Sequence, residues 1–135
     1  MQVECASLQL SALGFQLMNT FRFFELRVYQ DARMFFRDIT QVAKSFPIDQ
    51  SYMKSQLCRA GLSIVLNIAE GSGKGSDKEF NRFVQMSIGS VCEVAACLDM
   101  ARVENLIPAN LFESLVEKAD TLRVSLGALS KKLKS

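Results

Sequence analysis

The chain has no histidine and no tryptophan. Losing histidine removes the usual general base, the usual proton shuttle and the commonest metal ligand together. Zinc hydrolases, Ser-His-Asp hydrolases and Cys-His proteases are therefore disfavoured. Glycine and proline are scarce, at seven and two of 135 residues, so a mostly helical chain is expected. Residues 1–17 hold no Lys or Arg, and the positive start of a signal peptide is missing. The apolar stretch Leu8 to Met18 is interrupted by Gln and Ser and is too short to span a bilayer. No later stretch is expected to reach that length, and no membrane partner is expected. The four cysteines, Cys5, Cys58, Cys92 and Cys97, form no CxxC pair. They are expected as buried free thiols in a reducing cytoplasm, with no metal and no other cofactor.

Charge of one sign is also lacking. Lys and Arg number 16 against 14 Asp and Glu, for a net +2. Three of the lysines, Lys131, Lys132 and Lys134, sit at the chain end, and the body without them is slightly acidic. Bulk charge therefore does not mark a nucleic-acid binder, and only a local patch could serve. Two groups are the best phosphate candidates: Lys74, Lys78 and Arg82, and the tail lysines. Arg22, Arg27, Arg33 and Arg37 form a looser group.

What is present is helical periodicity. One helix is expected over 25–46, ended by Pro47, with Leu26, Tyr29, Ala32, Phe36, Ile39, Ala43 and Phe46 three or four apart. Val28, Phe35 and Val42 form a second apolar line. A second helix is expected over 51–70 along Leu57, Gly61, Ile64 and Ile68. The glycines of 71–75 end it, and they are expected to take left-handed angles. Ser76 and Glu79 have the spacing of a reciprocal capping box for a third helix. Its line is Phe80, Val84, Ser87, Val91, Val94, Leu98 and Ala101. After Asn105 and Pro108 a fourth helix is expected over 109–133, along Phe112, Leu115, Ala119, Leu122, Leu126, Leu129 and Leu133. Each helix should have 20 to 28 residues, joined by short connections. The expected fold is all-α, an antiparallel up-down-up-down four-helix bundle over 21–135. Residues 1–20 are expected to be an N-terminal extension, disordered or upstream of a natural start at Met18. The ten phenylalanines, with Phe21, Phe23 and Phe24 just before the first helix, either fill a large core or offer a partner surface.

Around Lys74 a phosphate-loop motif fails twice. Ile68 stands where the first glycine should be, and Gly75 replaces the Ser or Thr. On the second helix Gln56, Arg59, Ser63, Asn67 and Glu70 form one polar stripe. Three readings are open: a hydrogen-bonded or oligomeric seam, a ligand or RNA surface, and catalysis with Glu70 as base. The last lacks a nucleophile, and no catalytic residue is assigned.

Several segments resemble a known family. Residues 24–32, with Leu26, Val28, Tyr29 and Ala32 in an L-x-V-[WY]-x-x-A run, are similar to the opening of the four-helix proteins encoded in intervening sequences of bacterial 23S ribosomal RNA. Gln56-Leu57-Cys58-Arg59-Ala60, Ser63-Ile64 and Asn67-Ile68-Ala69-Glu70-Gly71 resemble that family's Q-x-x-R-A…S-I-x-x-N-I-A-E-G signature. Lys78-Glu79-Phe80 and Arg82-Phe83 continue it as K-E-F-x-R-F, and Ser90, Glu93 and Leu98 follow in register. The resemblance covers about residue 21 to the end and leaves 1–17 outside. Cys58 and the weak net charge depart from the family pattern. The resemblance implies small cytoplasmic bundles that assemble as homopentamers without known catalytic activity. It also implies kinship with the basic accessory variability determinant of diversity-generating retroelements, which associates with nucleic acid.

Two functions are therefore expected to compete. One is a non-enzymatic homo-oligomer of the 23S rRNA intervening-sequence type that binds RNA or a ribonucleoprotein partner. The other is a protein–protein adaptor or assembly scaffold with no nucleic-acid role.

Overall fold

Four amphipathic segments, the first with two apolar lines and the others with one, can bury those lines only by packing together. A computed structural model shows how. The structure describes Ala12 and residues 20–135, so expectations for residues 1–11 and 13–19, Cys5 included, lie outside the described residues. The elements are a 3-10 turn at Arg22–Glu25, α1 (Arg27–Ala43), a second 3-10 turn at Ile48–Gln50, α2 (Ser51–Ser72), α3 (Asp77–Val103) and α4 (Ala109–Lys134). Among the described residues there is no strand.

The helices pack in ring order, α1 on α2, α2 on α3, α3 on α4 and α4 back on α1. Their direction alternates: Ser63 and Gln56 of α2 bond to Ser90 and Glu93 of α3, in inverse order. Lys118 of α4 reaches Asp38 of α1 at 2.9 Å. The core line expected for α3 is buried at every position, as are Leu57, Gly61, Ile64 and Ile68 of α2. In α4, Leu115, Ala119, Leu122 and Leu126 are buried. Each large aliphatic side chain so enclosed contributes about 1.5–3 kcal/mol. Phe35, Phe46, Phe80 and Phe83 join this core, whereas Phe21 is 54% exposed.

Some details differ from expectation. α1 has 17 residues, shorter than expected. Leu26 is extended at its start, and at its end Ser45 and Phe46 turn back onto Val42 and Ala43 before Pro47. The capping box is half formed. Ser76 Oγ accepts from the Glu79 N–H at 3.2 Å, but the Glu79 carboxylate pairs with Arg82 at 3.1 Å instead of returning to the cap. No described glycine has a positive φ. Gly71 and Ser72 continue α2, because Gly71 is where α2 meets α3 closely. Cys92 is exposed and Cys58 and Cys97 are half-buried, so the expectation of buried thiols fails. They fall beside the apolar lines and not on them.

The expectation about hydrophobic length also needs correction. α3 is long and apolar enough by composition to cross a membrane, with a mean hydropathy of 1.3 over its best window. In this fold its most apolar line lies between α2 and α4.

Candidate nucleic-acid interface

The alternating helix directions decide which charges meet. The start of α1, the end of α2, the start of α3 and the end of α4 share one end of the bundle. Lys74, Lys78 and Arg82 come from the α2–α3 connection and the first turns of α3, and Lys131, Lys132 and Lys134 from the last turn of α4. The two groups, far apart in sequence, are thereby brought to one end. Contact between the helices at this level is explicit. Gln85 of α3 donates to Ser130 Oγ at 2.7 Å, and Ser130 donates to Asn81 Oδ1 at 2.6 Å. Ser130 is buried and fully bonded, and nothing in its sequence context announces that role.

Arg22 and Arg27 enter the same end from the first turn and α1. Segments 21–31, 70–82 and 129–135 together hold eight basic and five acidic residues, while 32–69 and 83–128 hold eight of each. The excess of positive charge in the described chain is therefore local. Two of the five acidic residues are engaged: Asp31 with Arg27 at 3.4 Å and Glu79 with Arg82 at 3.1 Å. Lys74 and Arg82 lie over the ring of Phe83, 5.1 and 4.8 Å from its centroid. Arg22 lies 5.3 Å from the centroid of Phe80. Aromatic faces in the first turns of α3 thus hold three cations at the surface. Arg22 was grouped only loosely from sequence. The Phe-Arg-Phe-Phe alternation at 21–24 was the signal available for it.

The same end carries a cluster of rings. Phe23 and Phe24 have centroids 4.4 Å apart, and Tyr29 stands edge-on to Phe23 at 4.8 Å. Phe21 lies 5.7 Å from Phe23. The turn is held to α1 by the Gln30 amide, which donates to the Phe24 carbonyl at 2.9 Å. No residue of Arg22–Glu25 is buried.

The polar stripe of α2 divides in two. Gln56 bonds Glu93 at 2.7 Å, Ser63 bonds Ser90 at 2.8 Å, and Asn67 bonds back to the Ser63 hydroxyl and carbonyl. These three form a seam within the protomer. Arg59 and Glu70 are exposed on the outer face, and among the described residues no hydrogen bond or ion pair of their side chains is seen. The Glu70 carboxylate has no thiol or hydroxyl bonded to it there. Leu66 of α2 and Met86 and Met100 of α3, 55%, 44% and 48% exposed, flank this face.

Burial pushes the Cys58 thiol up from its ordinary pKa, with Lys54 partly opposing. It raises Cys97 as well, helped by Glu93. Both thiols are held away from the nucleophilic thiolate form. Among the described residues no group of His, Cys, Asp and Glu could hold a metal ion. The seam between α1 and α4 opens into a groove of about 590 Å³, with Phe35 and Leu122 in its wall and Asp38 and Lys118 among its lining residues.

No curated protein matches the chain. The chain resembles the crystal structure of a protein of unknown function from the S23 ribosomal protein family of Bacteroides thetaiotaomicron VPI-5482. The TM-score is 0.72 at 22% identity, covering 77% of this chain and 98% of that one. That likeness speaks for the fold alone. The sequence model of the family described as 23S rRNA-intervening sequence protein matches residues 24–128, from the ring cluster through most of α4. By that match, and with all four helices where the fold requires them, the chain belongs to the 23S rRNA-intervening sequence protein family.

Proposed function

We propose that the protein is a non-enzymatic, cytoplasmic homo-oligomer, assembled as a pentamer, that contacts RNA or a ribonucleoprotein through the basic end of its bundle. One observation carries this reading: Arg22, Arg27, Lys74, Lys78, Arg82 and the three tail lysines converge on one end of a molecule otherwise balanced in charge. Cations spaced over one surface bind phosphates without reading bases. Assembly multiplies a small patch into a ring of patches, which offsets the weak net charge. The exposed Leu66, Met86 and Met100 beside Arg59 and Glu70 favour the outer face of α2 and α3 as the surface that assembles.

The test is RNA binding across a salt series, with the mass in solution recorded on the same sample. Binding is expected to fall steeply with salt. Lys131→Gln/Lys132→Gln/Lys134→Gln is expected to flatten the slope of log affinity against log salt by up to about 0.9 for each phosphate no longer neutralised. Absence of binding at low salt, with a specific protein retained by the full chain, would replace this reading with the adaptor.

A further inference from the structure

Three phenylalanines within four residues are spent outside the core. Phe21 is 54% exposed, Phe23 and Phe24 are half-buried, and their turn encloses no buried residue. An aromatic ring fully enclosed in the core would contribute several kcal/mol of burial, which Phe21 forgoes and Phe23 and Phe24 realise only in part. Cations surround this cluster of rings. Arg22 is in the cluster's own turn and Arg33 lies over Tyr29, 5.9 Å from its centroid. Arg22 also lies over Phe80 in the first turns of α3, where Lys74 lies over the neighbouring ring of Phe83 and Lys78 precedes Phe80 by two residues.

We propose that Phe21, Phe23, Phe24 and Tyr29 form a platform on which bases of an unpaired RNA strand stack, while Arg22, Lys74 and Lys78 take its phosphates. The proposal rests on the RNA reading above and narrows it to single strands. The chemistry favours that occupant. Positive charge selects a polyanion, and rings select a polyanion that also offers flat apolar faces. In a duplex those faces are already stacked on one another, and only the cations could engage it. An unpaired strand uses both features, and base–aromatic stacking is indifferent to sequence.

The test compares three probes on the full chain: an adenosine-rich single-stranded RNA, the same strand annealed to its complement, and the equivalent single-stranded DNA. The chain has two tyrosines. In a Tyr52→Phe background, tyrosine fluorescence reports on Tyr29 alone. Both single strands are expected to bind more tightly than the duplex and to quench Tyr29. Phe21→Leu/Phe24→Leu keeps apolar bulk but removes two π faces. It is expected to weaken single-strand binding by roughly fivefold or more per ring and to leave duplex binding and its salt slope unchanged. Phe21→Leu alone, at the exposed position, serves if the double variant loses helicity. Equal affinity for duplex and single strand, or no weakening in these variants, overturns the platform and leaves the RNA reading standing. No binding of any probe at low salt overturns both.

Discussion

Asn105 is the one non-glycine residue among those described with a positive φ, at 59°. It ends α3. The Leu106 N–H reaches back to the Ala101 carbonyl at 2.8 Å, and the Asn105 N–H bonds the Arg102 carbonyl at 3.0 Å. This closes the helix and aims the chain at Pro108. Asparagine tolerates the left-handed region better than most residues. Asn105→Val is expected to cost about 1–2 kcal/mol, and Asn105→Gly to cost nothing, both read by urea denaturation. The left-handed angle expected in the glycine run of 71–75 is instead taken here. Periodicity and composition locate a helix end but do not say which of several candidate residues absorbs the turn.

At the scale of the element, Gly71 explains why α2 and α3 can join so tightly. A Cβ there would lie 2.6 Å from the Phe83 Cβ and 2.9 Å from Phe80 Cδ1. The glycine that closes the N-I-A-E-G segment is therefore needed for close approach and not for an unusual backbone angle. Its neighbours Phe80 and Phe83 are the rings over which Arg22, Lys74 and Arg82 lie. Gly71→Ala is expected to destabilise by about 1–3 kcal/mol through overpacking, seen as a lower melting temperature. Because the displaced rings carry the cations, RNA affinity should also fall in the variant that remains folded. Gly61 faces Phe36 Cδ1 at 3.1 Å, a milder version of the same constraint.

For the whole molecule, the surface has two distinct faces to account for. The basic end gathers charge, and the outer face of α2 and α3 gathers apolar side chains around Arg59 and Glu70. Leu66 is 55% exposed and stands in the middle of that face. Leu66→Glu changes nothing inside the protomer, where α2 packs through Leu57, Ile64 and Ile68. If the protein assembles as proposed, the substitution is expected to lower the mass in solution from that of an oligomer toward that of a single chain, with helicity retained, as read by light scattering and circular dichroism. An unchanged oligomer mass would move the interface elsewhere, and a single-chain mass before the substitution would overturn the assembly itself.

The sequence by itself determined the four helices and most of their core lines, although on α1 the buried ring is Phe35 and not Phe36, which is half-buried. A period near 3.6, a Ser76 cap and breakers at Pro47 and Pro108 are local properties, and every position of the apolar line of α3 is buried, with Phe83 buried beside it. It also indicated both basic groups, because clusters of lysine are visible in one dimension. Tertiary structure alone decided that these clusters meet. Residues 74–82 and 131–134 come together only because alternate helices run in opposite directions and α3 packs on α4. Packing likewise split the polar stripe, bonding Gln56 and Ser63 to α3, with Asn67 bonded back to Ser63, and leaving Arg59 and Glu70 outside. Spacing places such residues on one side of a helix. What that side faces depends on where the neighbouring helix lies, and a shift of one position around α2 is enough to turn a seam residue into a surface one.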